Sequence, residues 1–123
     1  MNYNSVIDIT KILNDYSQDI QEGIVEIAEN VAQDDVRELK STSPKNTGKY
    51  AKGWQVSKTK GTGYVECIVH NGKRWQLTHL LEKSHLLRNG RKSTPKVHIY
   101  PVEQKSNKQF EREVEQLIQN GGK

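Results

Sequence analysis

The first forty residues carry a long stripe of apolar side chains at helical spacing, and this stripe constrains the fold more than any other feature. Its members recur every three or four residues, which places them on one side of an α-helix. They are Leu13, Tyr16, Ile20, Ile24, Ile27 and Val31. We predict one helix from about Val6 to Lys40, straight or bent at Gly23 or at the Asn14-Asp15 pair, because glycine costs about 1 kcal/mol in a helix interior. Two helices folded into a local hairpin are the alternative.

A helix of that length would measure roughly 50 Å. That is more than a chain of 123 residues can cover with its own core, because only 33% of the residues are hydrophobic and the mean hydropathy is −0.88. We therefore predict a single domain over residues 1–123, with the helix in residues 1–40 and an α+β body in residues 41–120. The excess of the apolar stripe is expected to pack on another subunit.

The net charge of +4 hides a strong partition along the chain. Residues 1–39 contain nine acidic and two basic residues, a net charge of −7. Residues 40–108 contain fifteen basic and three acidic residues, a net charge of +12. A chain divided in this way is suited to meet opposite charge, which its own second half, another copy or a polyanion would supply.

Several classes of protein are excluded by composition. No stretch approaches the roughly 18 apolar residues that span a bilayer, and the start lacks the charged leader and apolar run of a secretion signal, so we expect neither membrane insertion nor secretion. Cys67 is the single cysteine, which excludes an intrachain disulfide and a cysteine-rich metal site. We expect a reducing compartment.

Turn-forming residues 41–48 are predicted to end the first helix. Two strands then follow, over Trp54 to Lys58 and Tyr64 to His70, with a hairpin loop over residues 60–63. In the second strand Val65, Cys67 and Val69 share the face that should point to the core.

The second half of the body is predicted from weaker patterns. A short crossing helix is expected over about residues 75–83, a basic surface loop over 84–96, and a third strand over Val97 to Tyr100. Pro101 suits the first turn of a C-terminal amphipathic helix, which carries Phe110, Val114, Leu117 and Ile118. The predicted fold is α+β, with an antiparallel sheet of three to four strands.

The sequence offers little support for catalysis. His79, Glu82 and His85 invite a metal site, but they match neither the spacing nor the order of the H-E-x-x-H motif. Cys67 lies on the apolar face of a strand, where cysteine usually acts as a small hydrophobic residue. No nucleotide-binding or nucleophile motif is present. We therefore predict that the protein is not an enzyme, binds no metal and needs no cofactor.

The basic segments leave three interpretations open. Lysines and arginines over residues 45–60 and 88–96 would contact phosphates, with Tyr50, Trp54 and Trp75 stacking on bases, in a small nucleic-acid-binding protein. Alternatively, the tryptophans belong to the core and the lysines solvate the surface. In the third interpretation, the basic body receives the acidic helix of a neighbouring copy, a head-to-tail contact that closes into a ring.

Four ordered blocks of the sequence resemble one known family. Residues 43–54 are similar to the P-x-D/N-T-G-x-Y-A-x-x-W opening of phage head–tail joining proteins, and residues 64–71 to the end of a strand in the same family. Residues 77–85 resemble its L-T-H-L-L-E-x-G-H block, and residues 88–90 with 97–103 resemble its closing R-x-G … P-H-I-x-P-A-E block. The chain departs from the pattern at Ser84, where glycine is usual, and at Lys96-Val97, which separate Pro95 from His98.

This family is the gene-product-ten-like tail-component family of long-tailed double-stranded DNA phages. The resemblance covers about residues 40–118. It implies a structural, non-enzymatic protein of the virion neck that is assembled in the host cytoplasm. It also implies a ring of six copies around the DNA channel, with head-completion and tail-terminator or tail-tube proteins as partners and no membrane.

The resemblance and the charge partition together single out two groups of residues. Expected contacts with other subunits or partners are Glu22, Glu26, Glu29, Lys45, Lys49, Lys52, Arg88, Arg91 and Lys92. Expected structural residues of the family motif are Thr47, Gly48, Tyr50, Trp54, His79, Glu82, His85, His98 and Pro101. Within the second group, the resemblance implies that His79, Glu82, His85 and His98 hydrogen-bond with one another.

Overall fold

The computed structural model describes residues 7–44, 48–72, 89–91 and 97–122. Along the chain, the elements are strand β1 (Ile7–Ile12), helix α1 (Gln18–Thr42), the short helix α2 (Lys49–Lys52), strands β2 (Trp54–Gly61) and β3 (Tyr64–Asn71), and helix α3 (Ile99–Gln119). The predicted α+β class, with a long helix near the N-terminus and a C-terminal helix, is confirmed.

The three strands form an antiparallel sheet in the order β1-β3-β2, so the last strand in sequence lies in the middle. Ile9 and Lys58 are the register partners of Cys67 on its two sides. Side chains alternate across a strand, so the residues in register with Val65, Cys67 and Val69 share one face of the sheet. Both long helices pack on that face and make a two-layer structure.

The helices run antiparallel to each other. Asp35 in the second half of α1 contacts Ser106 near the start of α3, and Gly23 in the first half of α1 lies against Leu117 near the end of α3. The core between helices and sheet is completely buried at Ile24, Val31 and Val65. Part of the predicted apolar stripe thus packs within the chain itself.

The N-terminal part of the predicted helix is wrong. Residues 7–12 form the edge strand β1, and α1 begins only at Gln18. Ile7 and Ile9 alternate with the exposed Asp8 and Thr10, as in a half-buried strand. Ser17 then starts the helix, because its side chain accepts a hydrogen bond from the Ile20 N–H. Gly23 lies inside α1 and does not end it.

The third strand of the sheet is therefore β1, and the strand predicted over Val97 to Tyr100 is wrong. Val97 and His98 are irregular, while Ile99 and Tyr100 already belong to α3. The predicted position of Pro101 in the first turn of this helix is confirmed. The hairpin is also confirmed, with Gly61 and Tyr64 in register and Gly63 at φ 79° in the turn between them. The predicted crossing helix over 75–83 and most of the loop over 84–96 lie outside the described residues.

Candidate assembly surfaces

A buried polar and aromatic cluster joins the elements at one end of the sheet. The Tyr50 hydroxyl lies 2.7 Å from Nε2 of His98, and Trp54 Nε1 donates a hydrogen bond of 2.8 Å to the hydroxyl of Ser43. The amide of Asn71 donates to the carbonyl oxygen of Tyr50 at 2.6 Å. The rings of Tyr50, Trp54 and His98 meet edge to face, an arrangement that the charge distribution of aromatic rings favours.

This cluster joins four elements at the points where the chain passes between the helices and the sheet. Ser43 caps the end of α1, Tyr50 belongs to α2, Trp54 begins β2 and His98 precedes α3. Trp54 is only 2% exposed, so it belongs to the core and offers no surface for stacking bases. Tyr50 is likewise buried, which removes two of the three aromatic residues that a nucleic-acid site would use.

Of the expected motif residues, Tyr50, Trp54 and His98 come together in this cluster. Gly48 precedes α2 with φ 85°, a conformation that favours glycine. Pro101 is exposed on the first turn of α3. Thr47, His79, Glu82 and His85 lie outside the described residues, so their hydrogen bonding to His98 stays a prediction.

The acidic residues expected at contacts behave differently from one another. Glu22 and Glu26 are exposed on α1, and within the part of the chain that the structure describes neither makes an ion pair. Glu29 instead forms an ion pair with Lys58 of β2 across the edge of the helix–sheet interface. Glu22 and Glu26 are therefore the carboxylates of this group that another molecule can reach.

The basic residues expected at contacts are only partly described. Lys49 and Lys52 are exposed on α2, beyond the end of α1, and Arg91 is exposed with its backbone N–H donating to the side chain of Asn89. Lys45, Arg88 and Lys92 lie outside the described residues. The exposed acids on the first half of α1 and the lysines of α2 thus lie at opposite ends of the helical layer.

An apolar groove lies between the second half of α3 and the segment that ends β1 and leads into α1. Tyr16, Phe110, Val114 and Ile118 form its floor and walls, and its volume is about 270 Å³. The remaining lining residues are Lys11, Glu111, Glu115 and Gln119. The spacing of these apolar residues predicts stripes on helices, but periodicity does not distinguish a buried stripe from one whose end protrudes.

Asp35, one of the nine acidic residues of residues 1–39, is a buried carboxyl group. It accepts a hydrogen bond of 2.6 Å from the Ser106 hydroxyl between α1 and α3, beside an open polar cleft that Arg37, Glu38 and Lys105 help to line. The pKa of Asp35 is raised to about 7, chiefly by burial and also by Glu38 and Asp34, while the hydrogen bond from Ser106 acts to lower it. Its position between Val31 and Leu39 on the buried side of α1 was the available signal.

Cys67 and His70 are two further buried titratable groups, both on β3. Burial raises the pKa of the Cys67 thiol and lowers the pKa of His70, whose ring hydrogen-bonds with the Ser57 hydroxyl across the two strands. In residues 7–44, 48–72, 89–91 and 97–122, no three His, Cys, Asp or Glu side chains are arranged to hold a metal ion. No helix in those ranges is both long and apolar enough to span a membrane.

The structure is a two-layer α+β fold with a hydrogen-bonded aromatic cluster in its core and exposed acidic and basic residues at opposite ends of its helices. The chain belongs to the family described as "Bacteriophage HK97-gp10, putative tail-component", whose model matches residues 7–90. It is therefore a phage tail component, a structural protein of the virion, which implies a role without catalysis. The match runs from the start of β1 to Gly90, so α3 lies beyond it.

Comparison with curated proteins and with solved structures finds no significant match.

Proposed function

We propose that this tail component is a subunit of the phage neck, where copies form a ring that joins the DNA-filled head to the tail. The ring contains six copies, contacts head-completion proteins on one side and tail-terminator or tail-tube proteins on the other, and surrounds the passing DNA. Its subunits meet through opposite charges. Membership in a tail-component family supports a structural role, and the surface charges support the kind of contact.

The observation that carries the proposal is the exposure of opposite charges on separate parts of one chain. Glu22 and Glu26 project from the first half of α1, whereas Lys49 and Lys52 project from α2. Exposed ion pairs within one chain contribute little to its stability. Exposed carboxylates that form no ion pair within the described residues therefore favour a contact with another molecule. One gene product then supplies both sides of a repeating contact.

If opposite charges hold the subunits together, the oligomer should dissociate at high salt concentration. We expect light scattering to report a ring in about 0.01 M salt, where the Debye length is about 30 Å, and smaller species in about 1 M salt, where it is about 3 Å. The double variant Glu22→Lys, Glu26→Lys is expected to form only the smaller species at both salt concentrations. Glu29 is left unchanged because it is bound to Lys58.

The matched control is Asp8→Lys with Glu66→Lys, which changes the net charge by the same amount on the sheet face opposite the helices. This control should assemble like the wild type. A chain that stays monomeric at every salt concentration, even with the adjoining head or tail ring supplied, would contradict the proposal.

The alternative from the sequence, a small nucleic-acid-binding protein, makes a different prediction. Tight binding of free DNA that weakens steeply with salt and is lost on changing Arg88, Arg91 and Lys92 would favour it over the neck ring. The burial of Tyr50 and Trp54 counts against it, because these rings are closed off from any base.

A further inference from the structure

The exposed apolar residues of α3 lie at its two ends and on one line. Tyr100 is 58% exposed and Ile118 is 39% exposed, and Ile118 forms one wall of the apolar groove. Eighteen residues separate them, which is five full turns of an α-helix and about 27 Å. Tyr100 and the groove beside Ile118 therefore face the same direction from the surface of the molecule.

Two apolar features on one face constrain how a second copy can cover both. A copy rotated by 180° about an axis perpendicular to α3 presents the same face in return, with its helix antiparallel. The axis passes level with Gln109, midway between the two features. Tyr100 of each copy then lies over the groove of the other, so a single contact is made twice, as in an isologous dimer.

The charges of the helical layer favour the same orientation. The half that contains the groove, residues 18–29 and 110–119, has seven acidic residues and only Arg112 as a basic one. The opposite half, residues 30–42, 49–52 and 99–109, has six basic and four acidic residues. Antiparallel packing places the acidic half of each copy beside the more basic half of the other.

One further detail of α3 agrees with this arrangement. Asn107 and Glu111 lie on the same line as Tyr100 and Ile118, at equal distances from the midpoint of the helix. In the antiparallel pair, the amide of Asn107 faces the carboxylate of Glu111 from the other copy and donates to it.

We infer that a second copy of this chain occupies the apolar groove, in a two-fold dimer with Tyr100 of each copy packed against Tyr16, Phe110 and Ile118 of the other. This contact goes beyond the proposed ring, because an isologous contact closes on itself and does not propagate around a circle. It gives the free protein a way to cover its apolar face outside the ring.

Cross-linking of cysteine variants tests the geometry directly. Tyr100→Cys and Ile118→Cys are prepared in the full chain and treated with a short bismaleimide, separately and mixed. Cys67 is buried and should not react, which the wild-type chain verifies. We expect a cross-linked dimer only in the mixture, because the two-fold axis keeps each position far from its own copy.

The double variant Tyr100→Cys, Ile118→Cys separates a two-fold contact from a head-to-tail one. A two-fold dimer forms both cross-links within one pair and stops at two chains, whereas a head-to-tail contact gives a ladder of larger species. The matched control mixes Tyr100→Cys with Gln116→Cys, which is exposed on the other side of α3 and should not cross-link. By sedimentation, Tyr100→Ser is expected to weaken self-association about tenfold.

Each other result overturns the inference. A ladder beyond the dimer, or a dimer formed by Ile118→Cys alone, shows a different geometry between copies. Cross-linking of Ile118→Cys to another tail protein in assembled particles, with none to Tyr100→Cys, gives the groove a different occupant. Salt-sensitive rings without the mixed cross-link leave the neck proposal standing and remove the dimer, so the two proposals fail separately.

Discussion

Asp35 is the residue whose surroundings deviate most from those of an ordinary surface carboxyl group. It is nearly as buried as the core residues around it, and the Ser106 hydroxyl is its hydrogen-bond donor. With a pKa of about 7 in the folded protein and 3.8 as its ordinary value, Asp35 binds its proton more tightly in the folded state. Its contribution to stability therefore falls between about pH 4 and pH 7 and is constant above that range.

Asp35→Asn should remove this dependence, since asparagine keeps an oxygen for the Ser106 hydroxyl and cannot ionise. One pKa unit corresponds to about 1.36 kcal/mol. Water in the adjoining open cleft screens the charge of Asp35, so the effect on stability is smaller than the full pKa shift implies. We expect the free energy of unfolding of the variant, relative to that of the wild type, to be about 2 kcal/mol higher at pH 8 than at pH 4. Urea unfolding at both pH values measures this difference.

Ser106→Ala provides the companion measurement. It removes the hydrogen bond that lowers the pKa of Asp35, so the fall in stability should extend to higher pH than in the wild type. An Asp35→Asn effect of the same size at pH 4 and pH 8 would contradict this account of the buried carboxyl group.

At the scale of elements, α1 and α3 depend on a close approach at Gly23. A Cβ atom at this position would lie 2.6 Å from Cδ2 of Leu117, so the leucine side chain must move to admit it. The glycine that sequence analysis treated as a possible bend is therefore explained by the neighbouring helix. Its low helix propensity is offset by the contact that it permits.

A double-mutant cycle tests this contact between the helices. In the wild-type chain, we expect Gly23→Ala to bring almost no gain, because displacing Leu117 offsets the roughly 1 kcal/mol by which alanine favours a helix over glycine. In a Leu117→Ala background, the same substitution should stabilise the fold by about 1 kcal/mol, as read from denaturant unfolding. Equal gains in both backgrounds would mean that Leu117 does not constrain position 23.

The elements that sequence analysis identified correctly are those whose pattern is local and long. The core face of β3 followed from alternation, and α1 from Ile20 onward followed from helical spacing. β1 was missed because Leu13 and Tyr16 continue the helical spacing backwards by chance, although Ile7 and Ile9 alternate and Ser17 is a good helix start. His98 and Tyr50 are 48 residues apart, and no local pattern indicates that they meet.

At the scale of the whole molecule, Cys67 reports on the integrity of both layers. It lies on the middle strand beneath the helices and is completely buried, and burial raises the pKa of its thiol. A reagent therefore reaches it only when helices and sheet separate. We expect alkylation of the native protein to be about 10³-fold slower than that of the urea-unfolded chain, or slower still, in line with typical unfolding equilibria.

The free energy obtained from the alkylation rate should agree with that from circular dichroism, if opening at Cys67 is global unfolding. Rapid alkylation of a chain whose circular dichroism is native would show instead that β3 is exposed by a local opening. The measurement also validates the wild-type control of the cross-linking experiment.

The order of strands has a consequence for how the protein is made. β1 is translated before β2 and β3, yet among the described strands its partner is β3, which ends at Asn71. At about 5 to 20 residues per second, the ribosome needs several seconds to deliver that partner. During this interval Ile7 and Ile9 have no neighbouring strand with which to pair. The helix α1, with its acidic residues, therefore leaves the ribosome before β1 can join the sheet. The strand that is made before the other two is thus among the last elements to become native.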